Sequence, residues 1–302
     1  MNTTFRVLAL ISLVIFVGCE EAELGTQKNP VKIYFTPSVD AESITTNSAE
    51  FIKYLEKETG LFFKSGVPAS YVAVVEAFGS KRADISVMNS FGYLMANKKY
   101  GAQARLTTIR YGEDSYRGQI ITHVDTGIKT VKDLNGKKFA FTDAASTSGY
   151  MFPLKVLNEN NVKLGGRVFA VKHDVVATMV YQKQVDAGAT YYSAPSKSGE
   201  IRDARARIKT QFPDIEEKVK IIAITEPIKN DPFVFRKGMP EVMANKIISS
   251  IKKYLSTEEG KKVFETIYGV EAVADTSDAD YDGLRKMVEI NQIDPAKLLK
   301  KK

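Results

Sequence analysis

The sequence predicts an α/β protein of two lobes, each a mainly parallel sheet flanked by helices, joined by a two-strand hinge. Three observations carry this. Strand-like apolar runs alternate with stretches of helical period, the order that a parallel sheet covered on both faces requires. The same order of elements occurs twice, a little over one hundred residues apart. Extended runs lie between the halves and after the second, where a hinge needs them.

Residues 31–35 (VKIYF) alternate and end at Thr36, Pro37 and Ser38, a strand followed by a turn. Residues 41–59 place Phe51, Ile52 and Leu55 on one face and stop at Gly60, a helix with a C-terminal glycine. A short strand over 61–64, a helix over 71–78 closed by Gly79, a buried strand over 84–88 and a helix over 91–99 come next. The second half restates the plan: FAFTD (139–143) echoes YFTP (34–37), and 174–189 echoes 72–87. Asp84 and Asp186 match each other and read as turn holders before strands. A strand over 167–172 precedes His173. Residues 116–123 and 219–225 read as the two extended crossings. Helices near 240–255 and 257–268 return to the first lobe, and 275–293 reads as a polar turn and a short last helix.

Composition narrows the function. The chain has 302 residues, 44% hydrophobic and 26% charged, which excludes a disordered or fibrous chain. One Cys and two His leave no thiolate cluster for structural zinc or iron–sulfur, and no Asp/Glu/His group has metal spacing, so no metal and no cofactor is expected. The net charge of +7 is dispersed, which fits weak steering of anions and argues against nucleic acid. The Lys-rich end, 294–302, reads as a solvated tail.

The first residues read as an address. Arg6 precedes an apolar run over 7–17, then Gly18 and Cys19. The run is short for a membrane span, so 1–18 reads as a signal peptide. It resembles a bacterial lipoprotein signal in which Cys19 is lipidated and becomes the first mature residue; an ordinary cleaved signal with an incidental Cys is the alternative. Residues 19–30 then read as a polar, flexible tether, and the protein works in the periplasm or at the cell surface.

Ligands of open α/β sheets bind beyond the carboxyl ends of strands, which selects the loops after Phe35, Val87, Phe141, Val171 and Ala189. The sharpest is FAFTDAASTSGYMFP (139–153). Pro153 fits only a first helical turn, which puts the helix start near 148–150. Ser146, Thr147 and Ser148 then offer hydroxyls and N–H groups at the positive end of a helix, an anion cradle without a charged residue, and Gly149 lets the anion approach the backbone. An ordinary N-cap with extra hydroxyls is the plainer alternative. Weaker candidates are Tyr71 at a helix start, Tyr116 at the crossing, His173 after a strand, Asn89 and Ser90 after another, and Tyr191 at a strand end. No nucleophile has a partner His in a hydrolase motif, so no catalytic residue is expected.

These runs together resemble the periplasmic substrate-binding proteins of phosphonate/phosphite/phosphate ABC transporters. The likeness lies in PSVDAE (37–42), YVAVVEA (71–77), Ala83-Asp84, FTDAASTSGY (141–150), His173-Asp174, VDAG (185–188) and PIKNDP (227–232). It implies the two-lobed, type II-like periplasmic-binding-protein fold that closes on its ligand. It implies that Ser146, Thr147 and Ser148 hold a phosphorus oxyanion, that His173 donates to another oxygen, that Tyr71 and Tyr116 close over it, and that Asp231 lies beside it. Tyr191 and Tyr192 stand where aminophosphonate binders carry a Glu, which points to phosphate, phosphite or a small alkylphosphonate. The expected partners are that anion and ABC permease subunits, the expected state a monomer. An anion sensor acting on a signalling partner, and an enzyme on the same scaffold, are the alternatives. The expected domains are 31–120 with 226–293 as the first lobe and 121–225 as the second.

Overall fold

The computed structural model describes residues 22–290. The expected signal peptide, the expected lipidation site Cys19 and the expected Lys-rich tail lie outside the described residues.

The first lobe begins with a parallel βαβαβ unit. Strands β1 (Val31–Phe35), β2 (Phe63–Gly66) and β3 (Ile85–Val87) stand in the order β2-β1-β3, with α1 (Ala41–Thr59) and α2 (Tyr71–Gly79) between them. Asp40 caps α1 through its carboxylate, which accepts from the Glu42 and Ser43 amides, and Gly60 ends the helix at φ +68°. Ile44, Ser48, Phe51, Leu55 and Thr59 form the buried stripe of α1. Gly79 is inside α2, not its cap: a Cβ there would stand 2.2 Å from the Tyr100 ring. After α3 (Ser90–Tyr100), β4 (Gln103–Ile109) leads to the crossing.

The second lobe repeats the unit with β6 (Lys138–Phe141), α4 (Phe152–Glu159), β7 (Gly166–Phe169), α5 (His173–Tyr181) and β8 (Ala187–Tyr192) in the order β7-β6-β8. Residues 116–123 are not a hinge crossing. They belong to β5 (Ser115–His123), an inner strand of this second sheet, which pairs antiparallel with β8, β9 (Val219–Ile224) and β10 (Ile228–Lys229). Its side chains over Gly118–His123 are buried, which a free crossing would not be. The chain therefore passes between the sheets at 110–114 and 230–231, and residues 115–120 and 226–229 belong with the second sheet instead of the first lobe. Beyond α6 (Ile215–Lys218) and the second crossing, β11 (Pro232–Phe235) enters the first sheet antiparallel between β3 and β4, and α7 (Glu241–Leu255), α8 (Glu258–Tyr268), β12 (Ala272–Asp275) and α9 (Asp282–Ile290) complete that lobe.

Each sheet is thus mixed: a parallel core of three strands, widened by antiparallel strands. The two strands that arrive from the opposite lobe, β5 and β11, both run against the core strands they join. Among the described residues the apolar side chains form four clusters. One lies in the first lobe, around Phe51, Phe233 and Phe264, and one on each face of the second sheet. The fourth joins the lobes: α2 and α3 meet Ala145, Met151 and Phe152 across the junction. The described part of the expected tether is also folded onto the first lobe. The Phe62 amide donates to the Gly25 carbonyl at 2.8 Å, and the Asn29 side-chain amide closes the turn on Ala22.

Candidate functional site

All five loops selected from the sequence converge on one cavity of about 70 Å3 between the lobes. The first lobe contributes Thr36, Ser38, Tyr71, Asn89 and Tyr268, the crossings Arg110, Tyr111 and Asp231, and the second lobe Tyr116, Ser146, Ser148, His173, Tyr191, Arg202 and Arg207.

The hydroxyl loop is built from its own caps. Asp143 folds back so that its carboxylate accepts from the Ala145 amide at 2.8 Å, and Ser146 is the N-cap, accepting from Gly149 N–H at 3.1 Å. The chain then makes a π-helical turn over Thr147–Met151, and α4 begins only at Phe152. Pro153 sits in the first turn of α4, so the start of regular helix falls a few residues later than the sequence suggests. Gly149 has a different role from the one expected. A Cβ there would meet Thr142 Oγ1 at 2.1 Å, so the glycine makes room for Thr142 and does not face an anion. A Cβ on Gly118 would stand 2.9 Å from the Ser148 carbonyl, which is how the loop lies flat on β5.

Ser146 and Ser148 line the cavity; Thr147 does not. Its buried hydroxyl donates to Asn89 Oδ1 and accepts from Phe91 N–H, both at 2.9 Å, so it clasps the second lobe to the first at the start of α3. Ser90 is also outside the cavity: its hydroxyl is spent on the Lys229 carbonyl at the crossing. Asn89 lines the cavity and caps α3 through Gly92 N–H. Further bonds across the cleft are Tyr71 N–H to Asp143 at 3.2 Å and His173 N–H to the Ser38 carbonyl at 3.3 Å, with Lys172 paired to Asp40 at 3.1 Å. The lobes are closed on each other.

The remaining candidates face the cavity. Burial, assisted by Asp143 and Asp231, pushes the Tyr71 phenol far up, so it stays a proton donor. Burial and then Asp231 do the same for Tyr116, whose hydroxyl meets Ser148 and Thr147. His173 is pulled down to about 3, by burial first and then by Arg207 and Arg110. It is neutral at physiological pH and has one N–H to give. Its Nδ1 lies 3.3 Å from Thr142 Oγ1, and Tyr191 packs edge-on against its ring at 5.1 Å.

The cradle is not free of charge. Three arginines that carry no local sequence signal reach into it. Arg110, on the first crossing, pairs with Asp231, on the second, at 2.6 Å, and its guanidinium lies over the Tyr116 ring. Burial opposes the Arg110 charge, but Asp231 and its neighbours outweigh it and hold the proton more firmly than usual. Arg207 donates to Tyr191 Oη and to the Thr266 and Ile267 carbonyls at the end of α8. Arg202 stacks on Tyr111 at 4.2 Å. Tyr268 holds the first-lobe wall by donating to the Thr36 carbonyl at 2.9 Å.

Three buried polar atoms on cavity-lining residues have no partner among the described residues: Tyr71 Oη, Arg110 Nε and Asp231 Oδ1. Two are donors and one is an acceptor. Buried polar groups are seldom left so, and their convergence marks a site that a ligand completes. A group that accepts from the two donors and donates to the carboxylate oxygen would satisfy all three.

A family described as ABC transporter, phosphonate, periplasmic substrate-binding protein matches residues 33–281, most of the chain. The chain belongs to this family. It is 26% identical over 225 residues to the phosphonates-binding periplasmic protein of Escherichia coli, a match covering 72% of this chain and 64% of that protein. It is 24% identical over 272 residues to a phosphate-import protein of Mycolicibacterium smegmatis, covering 84% and 83%. A binding protein component of a Pseudomonas aeruginosa ABC phosphonate transporter superposes with a TM-score of 0.76 at 20% identity, over 87% of this chain and 86% of that one. A Prochlorococcus marinus protein solved with methylphosphonate gives 0.73 at 16%, over 87% and 98%. The structural likenesses establish the two-lobed fold.

Proposed function

We propose that this protein captures a phosphorus oxyanion, namely phosphate, phosphite or an alkylphosphonate, between its closing lobes and delivers it to the membrane subunits of an ABC importer. It acts as a monomer outside the cytoplasmic membrane, held there by lipid on Cys19. The observation that carries the ligand class is the set of three partnerless polar atoms around a small, net-cationic cavity. Ser146, Ser148, Tyr71 and the Arg110 Nε donate to oxyanion oxygens, and His173 gives its single N–H. Asp231 Oδ1 accepts from P–OH. Asn89, Tyr116 and Tyr191 shape the walls, and Thr147 supports the closed form from behind.

Binding favours closure because each wall contributes donors that meet only when both lobes touch the ligand. The test is calorimetric titration of protein stripped of ligand by unfolding and refolding. At least one of phosphate, phosphite and methylphosphonate is expected to bind, and binding by none overturns the proposal. Sulfate has no proton for Asp231 at neutral pH and is expected to bind at least about a hundredfold more weakly than the best of them. Equal affinity removes Asp231 from the ligand's contacts.

A further inference from the structure

We propose that the site prefers phosphorus oxyanions whose organic substituent carries its own negative charge, and that Arg202 selects it. The inference rests on the function proposed above and specifies the part of the ligand that lies outside the oxyanion cradle.

A cavity of about 70 Å3 between the lobes has room for a tetrahedral head. It shares Arg110, Tyr111, Tyr116, Ser193 and Arg202 with a second cavity of about 360 Å3, which opens beside the crossings. A long substituent on phosphorus can leave the cradle this way, past the Tyr111–Arg202 pair. The cations along the way are not equivalent. Arg110 is bound to Asp231. Arg207 is occupied by Tyr191 and two carbonyls, and Arg117, in the outer cavity, by the Thr225 carbonyl. Arg202 has the Tyr111 ring against its face, and among the described residues no carboxylate pairs with it. Stacking occupies the guanidinium face and leaves its in-plane N–H groups for an acceptor, the geometry that suits a carboxylate or phosphoryl group.

The platform is itself held in an unusual conformation. Tyr111 has φ +54°, left-handed for a bulky residue, directly before Gly112 at +77°. The two left-handed residues close the tight turn in which the Arg110 and Glu113 backbones bond each other at 3.0 Å, and that turn fixes where the Tyr111 ring stands. The outer cavity carries Arg110, Arg117 and Arg202 against Glu113 alone, so it favours an anion. A wider groove of about 950 Å3, lined by Glu200, Glu265 and Glu271, meets the cradle at Tyr111, Tyr191, Gly269, Arg202 and Arg207, so the charged groups at that border are the two arginines. An ammonium-bearing substituent meets a guanidinium on either route.

The test compares three phosphonates of similar length by calorimetry on the refolded protein: 3-phosphonopropionate, its amide 3-phosphonopropionamide, and 3-aminopropylphosphonate. The carboxylate is expected to bind about tenfold more tightly than the amide and about a hundredfold more tightly than the amine. In Arg202→Gln the ratio of carboxylate to amide is expected to fall to within about threefold of unity. A carboxylate no tighter than the amide in the native protein overturns the inference without need of the variant, as does a ratio that Arg202→Gln leaves intact. If methylphosphonate binds in either case, the proposed function stands and only the preference is lost. If no phosphorus oxyanion binds, both fall together.

Discussion

The two lobes can be compared residue by residue. Asp84 holds the Lys32 amide at 2.8 Å in the first lobe, and Asp186 holds the Lys138 amide at 2.8 Å in the second. Thr36 donates to the Val87 carbonyl, and Thr142 to that of Ala189. Tyr71 and His173 open α2 and α5 and face each other across the cavity. The bonds that lock the sheets are the same in both lobes, while the groups that line the cavity differ. A strand-locking bond has one geometric solution, so a repeated plan repeats it. A ligand is asymmetric and asks different things of each wall: a phenol from one side, a neutral imidazole and hydroxyls from the other.

The framework pair gives the sharpest way to break this comparison. Asp84 is buried and also binds Arg236 at 2.5 Å, whereas Asp186 is partly open and, among the described residues, pairs with no cation. Asp84→Ala leaves a guanidinium and an amide without their acceptor and is expected to cost about 3 kcal/mol in urea denaturation, against about 1 kcal/mol for Asp186→Ala. Equal costs would mean that Arg236 contributes nothing to the difference.

The cavity-facing pair, Tyr71 and His173, differs in its pH response. His173 binds its proton only near pH 3 when folded, against an ordinary value of 6.5, so the unfolded chain takes up the proton first. Stability present above 6.5 is lost as pH falls towards 3, by roughly 3 kcal/mol between pH 7 and 4. Tyr71 is the mirror case. Its raised pKa means that stability is lost only as pH rises past the ordinary phenol value of 10.0. Denaturation curves at pH 7, 5.5 and 4 are expected to fall less steeply in His173→Gln than in the native protein; parallel curves would exclude His173 as the cause.

A third comparison sets the buried clasp against the surface one. Thr147→Val removes a donor to Asn89 and an acceptor for Phe91 N–H while keeping shape. It is expected to weaken methylphosphonate binding about tenfold by disfavouring closure, although Thr147 lies outside the cavity. Unchanged affinity would assign closure to the apolar junction alone. Lys172→Ala breaks an exposed pair to Asp40 and is expected to change affinity by at most about twofold, and less in high salt.

Much of the site was legible because its signals are local. The run of Ser146, Thr147 and Ser148 marks a helix start wherever it is placed, and Tyr71 and His173 each come after a turn into a helix. Ser90 and Gly149 have equally local signals, yet the structure uses them otherwise, for a crossing carbonyl and for packing against Thr142. Arg110, Arg202, Arg207 and Tyr268 gave no signal at all. A long side chain in a loop or at a helix end reads as solvated surface until the fold brings a cavity to its tip.

The alternation of elements, the caps at Asp40, Ser70, Asn89 and Ser146, and the repetition of one lobe plan were written in the residue order, since all of these rest on contacts between near neighbours in the chain. Folding in three dimensions was needed to settle which strand each crossing joins, that Thr147 clasps instead of lining, and that three guanidiniums and one carboxylate meet at the junction. Those outcomes depend on groups far apart in the chain, from 58 residues between Thr147 and Asn89 to 121 between Arg110 and Asp231, and no local pattern records a distance that the chain acquires only when both sheets have formed.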